Sequence, residues 1–252
     1  MSKKRVIIPA RMHSARLPGK ILLNIAGKPM IQWVHEKAIR CNLDSVLIAT
    51  DDKKIYDVAT KFGAEVILTS KDHTSGTDRL AEAVKKMDYA DDDLIVNIQG
   101  DEPIIPEKVV FQVLDNLEKY PQASVSTLCE AIHTLPEVLD PNSVKVVFDK
   151  NGLALYFSRA PIPWDRDNFP SVLSKQIQCF RHIGMYAYRA KFLKHYANIT
   201  PSKIEEWERL EQLRILWHGE KIHVDIAAEK TLPGVDTEED LKRVRDYISK
   251  QK

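Results

Sequence analysis

Arg11, Arg16 and Lys20 fall within ten positions of one another, directly after the apolar run Val6-Ile7-Ile8. Cations at the carboxyl end of a buried strand suit a polyphosphate, with Arg offering a forked donor set and Lys a point charge. The spacing is equally compatible with a solvated basic loop built on the Pro18-Gly19 turn. Gln99-Gly100-Asp101-Glu102-Pro103 follows a second apolar run at 94–98. A carboxylate there is placed to hold Mg2+ on bound phosphates, because hard cations take oxygen ligands. An ordinary turn would also account for Asp101.

Thr74-Ser75-Gly76-Thr77-Asp78-Arg79 offers hydroxyls and backbone N–H groups at a helix start. Such a start suits a phosphate or a base, and plain capping explains Thr74 and Ser75 as well. In Arg181–Tyr188, strand alternation puts His182, Gly184 and Tyr186 on one face and Ile183, Met185 and Ala187 on the other. The second set reads as core. The first reads as a cleft wall in which glycine leaves room between two hydrogen-bonding rings, or as a structural His–Tyr pair. Glu211 and Gln212 interrupt an apolar stripe of Trp207, Leu210, Leu213 and Trp217. Asp236 precedes Thr237, which forms a capping box with Asp240.

Alternating elements must carry these groups. The pattern predicts strands at 6–8, 46–49, 66–68 and 94–98, with Pro9 ending the first. Between them lie helices beginning at Pro29 (with Ile31, Val34 and Ala38 on one face), at 52–62 and at 77–87. That order implies a parallel sheet with right-handed crossovers. Further strands are predicted at 125–129, 144–148, 153–157 and 183–188, the middle two joined by an Asn151-Gly152 hairpin. Residues 161–174 read as an ordered arm, and helices at 204–217 and 237–249 finish the chain. The expected fold is α/β, a Rossmann-like, predominantly parallel sheet flanked by helices. It forms one domain over residues 1–252 with a strand-rich insertion at about 150–190.

The balance of 37 Lys plus Arg against 36 Asp plus Glu leaves no field to draw nucleic acid or an anionic membrane, so a small polar partner is expected. Cys41, Cys129 and Cys179 lie far apart without a Cys-x-x-Cys pair, which argues against zinc and disulfides and suits a reducing compartment. Lys3-Lys4-Arg5 precede an apolar run too short for a signal peptide or a span, so a cytoplasmic location is expected. G-x-G-x-x-G, Walker, nucleophile-elbow and His-Glu-x-x-His patterns are absent, which removes dinucleotide oxidoreductases and P-loop ATPases. Asp91-Asp92-Asp93 precedes its strand and so falls at the wrong end of the sheet for a metal motif.

Ile8-Pro9-Ala10-Arg11 with Arg16-Leu17-Pro18-Gly19-Lys20 resembles the opening loop of the sugar nucleotidyltransferases. The 72–82 and 97–103 segments, Tyr156-Phe157-Ser158-Arg159-Ala160, Pro163-Trp164-Asp165-Arg166, Arg181-His182-Ile183-Gly184, 210–214 and 234–237 narrow the resemblance to the CMP-Kdo synthetases. The resemblance implies transfer of CMP from CTP to the anomeric hydroxyl of Kdo (3-deoxy-manno-octulosonate), with release of pyrophosphate, for lipopolysaccharide synthesis. It also implies Mg2+ and a homodimer formed through the inserted arm. Arg11, Lys20, Asp101 and Asp236 would then be catalytic, the two aspartates holding the metal. Arg11, Arg16 and Lys20 would bind the triphosphate, and Thr74, Ser75, Arg79 and Gln99 the cytidine and ribose. Arg159 and Arg166 would meet the sugar carboxylate, with Gln99, His182, Tyr186, Glu211 and Gln212 on the rest of the sugar. Another acidic sugar, 8-amino-Kdo or sialic-acid-like, or a non-catalytic nucleotide-sugar sensor, are the alternatives.

Overall fold

The computed structural model describes residues 2–14, 16–73, 75–174 and 176–250. The first-half strands are β1 (Lys4–Ala10), β2 (Ser45–Thr50), β3 (Glu65–Leu68) and β4 (Leu94–Asn97). The second half adds β5 (Val125–Ile132), β6 (Lys145–Phe148), β7 (Ala154–Ser158), β8 (Cys179–Arg189) and β9 (Ile222–Ile226). They form a nine-stranded sheet whose main path runs β9-β5-β8-β4-β1-β2-β3, with β6 paired to β8 and to β7. β1 is parallel to both neighbours, while β8 runs antiparallel to β4 and β5 and is the one reversed strand on that path. The predominantly parallel α/β arrangement expected from the sequence is therefore present.

β1 is buried on both faces, and its side chains alternate between two core layers. Val6, Ile8 and Ala10 of β1 join one core layer, and Ile7 joins the other. The first layer is covered by α1 (Met30–Arg40), α2 (Lys53–Lys61) and α4 (Glu107–Lys119). The opposite layer carries α3 (Gly76–Lys86) and α6 (Ala190–Tyr196), with α5 (Leu135–Leu139) outside both. The final helix, α9 (Glu238–Ser249), buries Leu241, Val244 and Ile248 against Leu17, Ile25 and Met30 in a separate cluster. That docking fixes the segment carrying Asp236.

Pro9 does not end β1; it lies within the strand, opposite Ala49. The reason is a missing neighbour. Ile7 O accepts from Ile98 N at 3.2 Å, so Pro9, two positions on, faces the same edge. There β4 has already ended at Asn97, and a residue without an N–H forfeits no ladder bond. The helix expected at 204–217 is also corrected: it is two helices, α7 (Lys203–Glu208) and α8 (Gln212–Trp217), separated by Arg209 at φ 51°. The Glu208 carbonyl accepts from Arg159 Nε at 2.7 Å instead of continuing the helix ladder. Trp207 and Trp217, read as part of an apolar stripe, are exposed. Helix α4 and strand β9 carry no sequence expectation above, although α4 buries Val109, Val113 and Leu117 at helical spacing.

The Asn151-Gly152 hairpin joins β6 to β7 as expected. Gly152 sits at φ 75°, and a Cβ there would lie 2.7 Å from His223 Nε2 and 3.0 Å from Val224 O. The His223 ring is stacked on Tyr120 at 3.8 Å and has little freedom to retreat. Gly152→Ala should therefore lower stability by about 1–3 kcal/mol, read as a shifted urea midpoint with an unchanged slope.

Candidate active site

β1 is the strand at which the sheet order turns back on itself, so the carboxyl ends of β1 and β4 open a crevice between their loops. That crevice is a cleft of about 920 Å³. Gly100 lets its two sides meet, since a Cβ there would stand 3.0 Å from Pro9 O and 3.1 Å from Ile21 Cδ1. Arg11, Arg16 and Lys20 from the β1 loop line it, together with Gln99, Asp101 and Glu102 from the β4 loop and Asp236 ahead of α9.

Lys20 is the centre of charge. Its Nζ donates to Asp101 Oδ2 at 2.5 Å, Asp236 Oδ1 at 2.8 Å and Val235 O at 2.9 Å. Arg16 Nη2 donates to the other Asp236 oxygen at 2.7 Å. Burial alone would lower the Lys20 pKa, but the charges and hydrogen bonds of Asp101 and Asp236 outweigh it and raise the pKa, so the ammonium persists. Next door, burial and then the Asp101 charge push the Glu102 carboxyl up to about 8. Its Oε2 is buried with no hydrogen-bond partner.

The N-terminus of α3 forms the adjoining wall through Ser75, Gly76 and Thr77. Ser75 Oγ accepts from Asp78 N at 3.0 Å, so it is the helix cap while also facing the cleft. Thr74 lies outside the described residues. Arg79 lines the cleft but is almost fully buried, its guanidinium donating to Thr69 Oγ1 at 2.6 Å and Asp51 Oδ2 at 2.9 Å. It thus ties α3 to the chain following β2 and β3.

The far wall comes from β8 and the α7–α8 break. β8 carries two extra residues between Ile183 and Tyr186 relative to β5, and an even number preserves the facing. His182 and Tyr186 therefore share one face, ring centroids 5.3 Å apart, and both line the cleft with Gly184. Glu211 Oε2 accepts from Thr77 Oγ1 at 2.9 Å, and Gln212 stands beside it in the lining. Enclosure by protein raises the Glu211 pKa, with the Thr77 hydrogen bonds opposing.

Two expected sugar ligands stand elsewhere. Arg159 spends its guanidinium on backbone carbonyls, reaching Glu208 O at 2.7 Å and Pro141 O at 2.9 Å, and does not line the cleft. Arg166 is exposed on the arm and also lies outside the lining. Arg209, which sequence reasoning missed, does line the cleft, brought there by its left-handed backbone. No local signal marked it, because the surrounding pattern reads as unbroken helix. Tyr188 was missed too, although its place two positions after Tyr186 puts it on the same face.

His182 Nε2 lies 3.0 Å from Thr127 Oγ1, which also approaches Met185 O at 2.8 Å and Ile183 O at 3.0 Å. One hydroxyl proton cannot serve two carbonyls and the ring at once, so Thr127 is shared among them and ties the His182 ring to the backbone of the β8 irregularity. Burial, then the Arg181 charge, lowers the His182 pKa from 6.5 to about 3. Above pH 6.5 the ring is neutral folded and unfolded, and the full stability is present. As pH falls toward 3, the unfolded chain takes up a proton that the folded ring refuses, and stability is lost. Between pH 7 and 5 the His182 contribution falls by about 2 kcal/mol, read as the change in the urea-denaturation difference between wild type and His182→Gln, because Glu102, with its raised pKa, shifts stability the other way in both proteins over that range.

Asp101 and Asp236 are the two carboxylates that could share a cation, since both already converge on one ammonium. Among the described residues no group of three or more His, Cys, Asp or Glu could hold a metal. Two carboxylates fit Mg2+, which completes its shell with phosphate oxygens and water. Nor is any helix among the described residues long and apolar enough to cross a membrane.

A cluster of cations and carboxylates, at the switch point of a mixed sheet and opposite a polar wall, is suited to the phosphates of a nucleotide. Residues 5–222 match the cytidylyltransferase family model, and the chain belongs to that family. It is 54% identical over 245 residues to the 3-deoxy-manno-octulosonate cytidylyltransferase of Photobacterium profundum, covering 96% of this chain and 98% of that one. The enzyme of the same name from Vibrio vulnificus is 55% identical over 246 residues, 97% of each chain. A solved structure of CMP:2-keto-3-deoxy-manno-octonic acid synthetase complexed with CTP superposes with a TM-score of 0.90 at 42% identity, covering both chains fully. A 4-diphosphocytidyl-2C-methyl-D-erythritol synthase shares the fold alone, at a TM-score of 0.64, 14% identity and coverage of 98% and 99%.

Proposed function

We propose that the chain transfers CMP from CTP to the anomeric hydroxyl of 3-deoxy-manno-octulosonate, supplying CMP-Kdo for lipopolysaccharide synthesis. The observation that carries the reading is the Lys20–Asp101–Asp236 cluster at the mouth of β1 and β4, in a chain whose relatives are named for this reaction. The sugar hydroxyl oxygen bonds to the α-phosphorus as the bridge from that phosphorus to the β-phosphate breaks. Pyrophosphate leaves with the bridging oxygen, and the hydroxyl proton passes to solvent.

No protein nucleophile is required; the protein aligns two anions and offsets their repulsion. Arg11, Arg16 and Lys20 bind the triphosphate and stabilise charge on the departing pyrophosphate. Ser75, Thr77 and Gln99 face the nucleoside, and Arg79 acts from its bridge to Asp51 and Thr69. Asp101 and Asp236 would hold Mg2+, which when bound neutralises phosphate charge and lowers the pKa of a coordinated hydroxyl. His182, Tyr186, Glu211 and Gln212 meet the sugar hydroxyls, and Arg209 at the rim takes the sugar carboxylate. A homodimer through the arm is supported by the exposed Leu155, Trp164 and Val172 and by the outer edge of β7, which among the described residues pairs in the sheet only with β6.

The test is pyrophosphate release with Mg2+, crossing CTP, UTP and GTP against Kdo, sialic acid and no sugar. Release is expected only from CTP with Kdo. Release with sialic acid instead would reassign the sugar, and no release from any pair would overturn the reading.

A further inference from the structure

A second cavity, of about 190 Å³, lies behind the β4 loop. Glu102, His182 and Gly184 line both it and the main cleft, so these three residues stand where the two spaces meet. The strap Thr231–Gly234 closes the far side. Gly184 is the informative member. It sits inside an eleven-residue strand, where glycine is disfavoured. Neither usual justification applies. Its backbone is not left-handed, so the bulge does not demand it, and a Cβ built there would meet nothing within 4 Å. The protein itself therefore has room for a side chain that the sequence withholds. Beside it, Glu102 Oε2 is buried without a partner, and no hydrogen bond at that oxygen holds the carboxyl in place.

We propose that the space beside Gly184, between the main cleft and the Glu102 cavity, receives the distal hydroxylated side chain of the sugar acid. The inference rests on the function proposed above. An eight-carbon acid closed into a six-membered ring leaves two carbons bearing hydroxyls beyond the ring. Gly184 keeps the passage open to them, and Glu102 is the polar group they reach. Both residues set the length of sugar acid accepted and take no part in the phosphoryl transfer.

The experiment measures KM for Kdo, and the inhibition constant of the six-carbon 3-deoxy-hexulosonate, in wild type, Gly184→Ala and Gly184→Val. The six-carbon acid forms the same ring with no side chain beyond it. CTP affinity and thermal midpoint are recorded for each variant. The expected result is that Gly184→Val raises the Kdo KM at least tenfold, with Gly184→Ala smaller in the same direction. The six-carbon inhibition constant and the CTP affinity should move less than threefold. If both sugars weaken alike, or neither does, the assignment of Gly184 is overturned. If wild type fails to use Kdo at all, the reading of the reaction has failed instead.

Discussion

Asp101→Asn should reduce turnover with CTP and Kdo by about 10²–10³-fold while leaving the fold intact. Asparagine keeps the shape, so the backbone bond from Val235 N to Asp101 O at 2.9 Å survives. So does the close packing of Gly234, whose Cβ position lies 3.4 Å from Asp101 Oδ1. What changes is charge. Lys20 loses one of its two carboxylate partners, and the pair proposed to share Mg2+ becomes a single carboxylate. The measurement is kcat at saturating substrates across a Mg2+ titration, with a thermal midpoint alongside. Near-normal turnover at ordinary Mg2+ would remove Asp101 from the metal assignment. A large loss together with an unchanged midpoint places the effect in the chemistry.

Arg214→Met should destabilise the protein by about 3–5 kcal/mol, the penalty typical of leaving one member of a buried ion pair alone. Arg214 reaches Glu205 through Nη2 at 2.6 Å and Nε at 2.8 Å, approaches Asp78 at 3.5 Å, and lies 4.8 Å over the Tyr196 ring. Both Arg214 and Glu205 are buried, so neither charge can fall back on water. The expected remedy is Glu205→Gln in the same chain, which should recover a substantial part of the loss because no uncompensated carboxylate remains. Urea midpoints for the two single variants and the double variant form the test; strict additivity would show that the pair is not coupled. The same pair joins α7 to α8 across the turn that presents Arg209 and Glu211, so the single variant should also weaken use of the sugar.

The parts of this molecule readable from sequence are those set by neighbours along the chain. The continuous apolar run of β1, the helical face of Ile31, Val34 and Ala38, and the capping box at Thr237 all reflect local composition, periodicity or hydrogen bonding. The facing of His182 and Tyr186 was legible for the same reason and survived only because the irregularity in β8 inserts an even number of residues. What escaped was decided by distant partners. Arg159 looks like a free cation until the carbonyls of Glu208 and Pro141 are brought to it. The break at Arg209 depends on that same guanidinium and on a buried ion pair within the segment read as one helix. Pro9 misled because its tolerance in β1 reflects the length of another strand, β4.

The Lys20 cluster is assembled across almost the whole length of the chain. Its ammonium comes from the loop after the first strand, while Val235 and Asp236 come after the last. Every strand of the sheet can thus be in place while the charged centre still lacks one of its carboxylates. A chain that stops short of Val235 and Asp236 retains every strand of the nine-stranded sheet, while Lys20 keeps a single carboxylate partner, Asp101.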